Sequence, residues 1–315
     1  MSAPESDVRP GPSPAAAPKP QAPPALAKPK PHPVAATLSL IRFAHTVFAL
    51  PFALLAALLA AGGVPAPRTL FWIVIAMVGA RSAAMSFNRI ADHDLDAKNP
   101  RTASRELPSG VLTRRYAALF CAGSAALFVL AASQLNRLCL LLSPVALAIV
   151  LGYSLTKRFT ALSHLVLGLS LAIAPVGAWI AVTGAVAPLP VVLGLAVVFW
   201  VAGFDVIYSL QDEAFDREQG LRSLPSRLGG RRALLVSALF HAAALGFLFA
   251  TFALAGGGVV FGVGVLLAGA FLVRQHAIVR PGDLSRVDAA FFTANGWLSI
   301  VVFACGAADI LLRGR

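Results

Sequence analysis

From Ala35 to the C-terminus, apolar runs of roughly 18 to 25 residues follow one another, each long enough to cross a hydrocarbon layer of about 30 Å as a helix. Nine are read: 37 to 61, 69 to 91, 113 to 133, 138 to 156, 162 to 183, 189 to 211, 232 to 254, 257 to 275 and 289 to 311. None shows the ten-residue dyad alternation of a barrel strand, so helices are expected. The chain should be an all-α, polytopic membrane helical bundle.

Composition agrees. With 58% hydrophobic residues, 13% charged residues and a mean hydropathy of +0.78, the chain falls in the membrane class. The net charge of +12 raises the question of nucleic acid, but such binders gather Lys and Arg on one exposed face or helix. Here the cations sit in short connections between apolar runs, so no nucleic-acid partner is expected. Cys121, Cys139 and Cys305 each lie inside an apolar run without a Cys or His at metal-ligand spacing. Residues 1 to 34 are Pro- and Ala-rich without apolar periodicity, which predicts a disordered tail. The residues from 35 to 315 form the membrane domain. A cleavable signal would place its apolar stretch directly after a basic start, and none does.

The N-terminal tail and the connections after the second, fourth, sixth and eighth runs carry most of the cations, among them Lys98, Arg101, Arg105, Lys157, Arg158, Arg222 and Arg227. The opposite side has Arg68, Arg137, Arg313 and Arg315. Lys and Arg accumulate on the cytoplasmic side, so an integral membrane protein with a cytoplasmic N-terminus is expected.

Acidic residues are concentrated in two segments, 88 to 110 and 205 to 232. These hold Asp92, Asp94, Asp96, Glu106, Asp205, Asp212, Glu213, Asp216 and Glu218, out of 14 acidic residues in all. The first reads D-H-D-L-D before a basic loop with L-P-S-G; the second reads D-E-A-F-D before a basic loop with L-P-S-R-L-G. Each lies two runs into a block of four, so runs one to four and five to eight are read as related bundles, with the ninth extra. Sites in such folds form between repeats, and the two segments should face one another.

Asn88, Asp92 and Asp96 at i, i+4, i+8 share one helical face, as do Asp205, Tyr208, Asp212 and Asp216. Asp94 points elsewhere, and His93 lies off the acidic face. Carboxylates one turn apart repel unless a cation lies between them. Oxygen ligands without a Cys or His cluster favour Mg²⁺, which is commonly shared between carboxylates and substrate phosphates. A phosphorylated ligand is therefore implied, with Arg101, Arg105, Lys157, Arg158, Arg222 and Arg227 to hold its remaining charge. Arg42 either reaches the site or snorkels to the interface. Asp205, inside the sixth run, is costly to bury in a membrane and reads as functional. His45, His164 and His241 read as packing or hydrogen-bonding residues.

These segments resemble the UbiA superfamily of intramembrane prenyltransferases over about residues 37 to 311. The likeness rests on Asn88, Asp92 and Asp96 followed by Asn99 to Thr102 and Leu107 to Gly110; on Tyr208, Asp212 and Asp216; and on Tyr153, Lys157, Arg158, Phe159 and Thr160. One departure is Arg89, where many members carry Asp. The resemblance implies Mg²⁺-dependent transfer from a polyprenyl diphosphate to an aromatic acid in a cavity open to membrane lipid. It implies Asn88, Asp92, Asp96, Asp212 and Asp216 at the metal; Arg42, Arg101, Lys157, Arg158 and Arg222 at the diphosphate; and Asp205 and Tyr208 as catalytic residues. The motifs look most like the quinone-pathway branch, whose acceptors are 4-hydroxybenzoate in the ubiquinone route and a dihydroxynaphthoate in the futalosine route to menaquinone. The H-T-V-F-A-L-P-F-A run at His45 and Arg89 look more like the second. The competing reading is an ion-coupled transporter of an anionic solute; against it, both acidic faces fall at one membrane side instead of the midplane.

Overall fold

The computed structural model describes residues 33–40, 48–280 and 283–313. The predicted disordered tail up to residue 32, together with Arg42 and His45, lies outside the described residues. Pro33, two residues ahead of the predicted domain boundary, opens the first helix.

The described residues are helical throughout, apart from turns and one isolated bridge. Helix α1 spans Pro33–Leu40, α2 Leu50–Ala61, α3 Pro67–Ala91, α4 His93–Lys98, α5 Arg114–Leu135, α6 Arg137–Thr156 and α7 Ser163–Thr183. Then come α8 Pro188–Ser209, a 3₁₀ turn Leu210–Asp212, α9 Glu213–Glu218, α10 Leu224–Leu228, α11 Gly230–Leu254 and α12 Val259–Ile278. A π-helical turn, Ala289–Ala294, leads into α13, Asn295–Arg313.

Eight helices among the described residues are long and apolar enough to cross a membrane, and they match the second to ninth predicted spans within a few residues. The predicted span 37 to 61 is not among them: its described parts are α1 and the 12-residue α2, on either side of residues 41–47. Large apolar side chains face outward along the long helices, including Leu119, Leu141, Leu239, Leu266 and Val273. In water such an exposed apolar surface would drive association; in lipid it is the matching solvent.

Local signals set the helix ends. Pro67 and Pro188 open α3 and α8, where a missing N–H costs nothing. The Thr113 side chain accepts from the Tyr116 N–H at the start of α5, and that of Asn136 from the Cys139 N–H at the start of α6. Gly184 stops α7 in the left-handed region, at φ 72°.

Packing uses small residues, as expected where lipid removes the hydrophobic drive between helices. Gly168 of α7 lies against the backbone of α8: a Cβ there would stand 2.2 Å from the Val198 carbonyl oxygen. Backbone cannot yield as a side-chain tip can. Gly168→Ala should therefore cost about 1–3 kcal/mol, seen as a lower unfolding midpoint in detergent; an unchanged midpoint would show that the two helices separate freely.

The core is aromatic. Trp200, 2% exposed, packs against Phe48, Phe52 and Phe204. Its indole Nε1 donates to Asn295 Oδ1 at 2.8 Å, which also accepts from Gln275 Nε2 at 2.8 Å. Asn295 Nδ2 in turn donates to the Phe291 carbonyl at 2.9 Å. This buried network fixes the π-helical turn, and the turn sets the Phe291 ring 4.2 Å from that of Tyr208.

Candidate active site

The helices α3 and α8 each run into a short acidic helix, and both joints fall on an aspartate. Asp92, with φ −94° and ψ 5°, separates α3 from α4; Asp212, with φ −104° and ψ 5°, ends the 3₁₀ turn that joins α8 to α9. Both lie in the sparsely allowed bridge region, where functional residues often sit. At the first joint the break leaves the i→i−4 bonds in place, Asp92 N to Asn88 O at 2.9 Å and Asp96 N to Asp92 O at 2.7 Å. The expected face of Asn88, Asp92 and Asp96 therefore survives, and Asn88 Nδ2 donates to Asp92 Oδ2 at 2.9 Å.

The two acidic segments meet across one polar cavity of about 290 Å³, lined by Asn88, Asp92, Asp96, Asp205, Tyr208, Asp212 and Asp216. Each of four carboxylates has a cation. Arg101 grips Asp212 with Nε and Nη2, the first at 3.0 Å, and Asn99 Nδ2 adds a third donor at 3.1 Å. Arg105 Nη1 reaches both oxygens of Asp96, at 2.7 and 2.9 Å. Arg158 contacts Asp92 at 3.2 Å, and Lys157 Nζ lies 2.7 Å from Asp216 Oδ1. Arg101 also donates to the Tyr208 hydroxyl at 3.3 Å, with its guanidinium over the ring. These pairs sit at the cavity wall and keep both signs of charge facing its interior.

Burial, and after it the neighbouring Asp96 charge, raise the Asp92 carboxyl above the ordinary carboxylate range, while Arg158 pulls the other way. Asp94 stands apart, exposed and paired with Arg114, with His93 beside it. Hydrogen bonding from His93 and then the Arg114 charge hold Asp94 below the ordinary range. Both residues fall off the shared face, as the spacing predicts.

The donor set suits a hard divalent cation. Asp216 is 1% exposed, yet neither of its oxygens has an aligned hydrogen-bond donor among the described residues. The Lys157 contact is close enough for an ion pair but is not a hydrogen bond, so the lone pairs of this cavity-lining carboxylate are not taken up by hydrogen-bond donors of the described residues. No three His, Cys, Asp or Glu among the described residues lie close enough to encircle an ion by themselves. Mg²⁺ fits that pattern, because it takes one or two carboxylates and completes its shell with water and substrate phosphate.

Asp205 lies on α8 with its side chain 25% exposed, and its Oδ2 stands 2.7 Å from His164 Nδ1. Arg222 is not part of the cavity wall: its guanidinium donates to the Phe159 carbonyl at 2.8 Å and its backbone N–H to the Lys157 carbonyl at 2.7 Å. It ties two loops together. Asn99 is an addition to the predicted set; it was visible only as part of N-P-R-T. Arg89 is 3% exposed and lines the cavity.

A second cavity of about 460 Å³ adjoins the first and shares Met85, Tyr153 and Leu167 with it. Its wall is almost wholly apolar and includes Leu142, Val145, Leu169 and Val191, which also reach the outer surface.

Polar cavity, apolar annex and paired acidic segments describe an enzyme acting on an amphiphile. Residues 49–298 match the UbiA prenyltransferase family; the chain belongs to this family and is a membrane prenyltransferase. Over 255 residues it is 34% identical to the 4-hydroxybenzoate octaprenyltransferase of Nitrosomonas europaea, covering 81% of this chain and 87% of that one. It is 32% identical to the enzyme of the same name from Azoarcus sp., covering 81% and 88%. Among solved structures, the apo UbiA homolog from Aeropyrum pernix K1 superposes with a TM-score of 0.78 at 37% identity, covering 85% of this chain and 98% of that one. A UbiA homolog from Archaeoglobus fulgidus bound to DMAPP and Mg²⁺ shares the fold, with a TM-score of 0.70 at 22% identity and coverage of 87% and 99%. Family membership displaces the transporter reading.

Proposed function

We propose that the chain transfers a polyprenyl group from a polyprenyl diphosphate to a hydroxylated aromatic carboxylic acid, with Mg²⁺, at the cytoplasmic face of its membrane. The observation that carries this reading is the junction of the two cavities: one offers carboxylates and cations for a metal diphosphate, the other an apolar space for a hydrocarbon chain.

In this reading Asn88, Asp92, Asp96, Asp212 and Asp216 hold the metal. When bound, Mg²⁺ would draw negative charge from the departing diphosphate. Arg101, Lys157 and Arg158 neutralise the rest of that charge as the allylic C–O bond breaks, which is stabilisation of charge where it develops. The apolar annex excludes water that would quench the allylic cation. Asp205 accepts the proton released as the ring is substituted, and Tyr208, held between Arg101 and Phe291, borders the reacting carbons.

The names of the relatives favour 4-hydroxybenzoate as acceptor and thus a place in ubiquinone synthesis. A dihydroxynaphthoate, and menaquinone synthesis, is the second reading, favoured by the run at His45 and by Arg89 in the cavity wall. Membranes containing the chain, given geranyl diphosphate and Mg²⁺ with 4-hydroxybenzoate and 1,4-dihydroxy-6-naphthoate in parallel, should prenylate one of them. Prenylation of neither would overturn the proposal.

Asp92 also sets a pH dependence. A carboxyl must be ionised to bind metal, and because this one is raised, protons compete with Mg²⁺ at a higher pH than they would at an exposed aspartate, near 4. The Mg²⁺ concentration for half-maximal turnover should rise as pH falls, starting above that range. A requirement flat down to the ordinary carboxylate range would remove Asp92 from the metal.

A further inference from the structure

Among the buried polar groups that line the cavity is a ring that neither acidic segment contributes. His164, in the first turn of α7, is 2% exposed. Its Nδ1 lies 2.7 Å from Asp205 Oδ2, and its Nε2 lies 3.2 Å from the Leu224 nitrogen, the first residue of α10. A peptide N–H can only donate, so Nε2 must accept. In the neutral ring the proton then sits on Nδ1 and is donated to Asp205.

That assignment separates two roles. To take a proton from Asp205, the ring would have to carry hydrogen on both nitrogens, and Nε2–H would then face the Leu224 N–H, donor against donor. The geometry points to His164 as the positioning residue for Asp205: it occupies Oδ2 and leaves Oδ1 as the oxygen that meets the acceptor ring. The inference rests on the proton-accepting role of Asp205 proposed above.

The same bond joins both ends of the reaction. Leu224 follows directly on the loop whose Arg222 N–H is bonded to the Lys157 carbonyl, and Lys157 pairs with Asp216. Through His164, one loop therefore fixes both the carboxylate at the acceptor and the cation at the leaving group.

The test compares His164→Gln with His164→Leu in the purified full-length chain, using geranyl diphosphate, Mg²⁺ and whichever aromatic acid the wild type prenylates. A glutamine carboxamide spans nearly the same two partners, its nitrogen donating to Asp205 and its oxygen accepting from Leu224. Leucine can do neither. His164→Leu should lower kcat about 10²-fold, the scale of a misplaced reacting group, with KM for the diphosphate changed by less than about three-fold. His164→Gln should recover kcat to within about five-fold of wild type. Because the ring acts only through Asp205, adding His164→Leu to Asp205→Asn should slow turnover no further. If the leucine variant does not fold, His164→Ala, which reaches neither partner, should show the same loss.

Equal loss in the glutamine and leucine variants would mean that the ring itself moves the proton. Wild-type kcat in His164→Leu, or a rise in KM with kcat unchanged, would remove the ring from the chemistry. Either result overturns the inference while leaving the prenyltransferase reading intact. A wild-type chain that prenylates no aromatic acid would instead overturn that reading.

Discussion

Replacing Asp212 with asparagine should lower prenyl transfer by roughly 10³-fold or more and abolish its response to Mg²⁺, on the scale of several kcal/mol that a bound metal supplies to a transition state. The substitution is nearly isosteric, so the helical joint should persist. What changes is charge. Asp212 is the carboxylate held by the most donors, with Arg101 through two nitrogens and Asn99 through a third. On the proposed metal assignment, its loss would remove an oxygen anion from the ion; it also frees Arg101, which then lacks the partner that aims it across the cavity. Both effects weaken the grip on the leaving diphosphate. Initial rates over a Mg²⁺ titration give the readout, and full activity in the variant would dissolve the metal assignment for the second acidic segment.

Asp205→Asn should act differently. The expected loss is about 10²- to 10⁴-fold in turnover, the range of a removed general base, with Mg²⁺-dependent binding of the diphosphate largely retained. The reason is position: Asp205 is paired with His164, not with any of the four cations around the carboxylates of the acidic motifs. An asparagine there has no charged oxygen to take up a proton, and its amide nitrogen would meet His164 Nδ1–H donor against donor if it took the place of Oδ2. Binding of a non-reacting prenyl diphosphate analogue measured beside kcat would separate the two effects. Unchanged kcat would take Asp205 out of the reaction, whereas lost diphosphate binding would place it at the metal.

Much of this site was readable from spacing. The one-turn intervals of Asn88, Asp92 and Asp96, and of Tyr208, Asp212 and Asp216, placed these side chains on common faces, and all six line one cavity. The backbone breaks were not readable: the joint at Asp92 leaves the i→i−4 bonds in place, and the 3₁₀ turn ending at Asp212 is too short to alter the residue pattern. The partners were not readable either. Arg101 meets Asp212 across 111 residues of chain and His164 meets Asp205 across 41, and no local periodicity carries such distances. The basic loops announced that cations would be near, but charge counting cannot tell an inward guanidinium such as Arg101 from Arg222, which is spent on carbonyl groups of the neighbouring loop. The first predicted span, 37 to 61, is described only in part, as α1 and α2.

The π-helical turn at Ala289–Ala294 makes the neighbour of Tyr208 a matter of counting. A π turn accommodates one more residue than the α-helix around it, so residues on either side keep their helical phase only if the number between them is conserved. Deleting one residue within the turn would restore ordinary α pitch and rotate the Phe291 position by about 100°, carrying its ring away from Tyr208 although no side chain in the cavity had been substituted. At this edge of the site, chain length behaves as a functional residue does: insertions and deletions in this turn should be far less tolerated than exchanges of one apolar side chain for another.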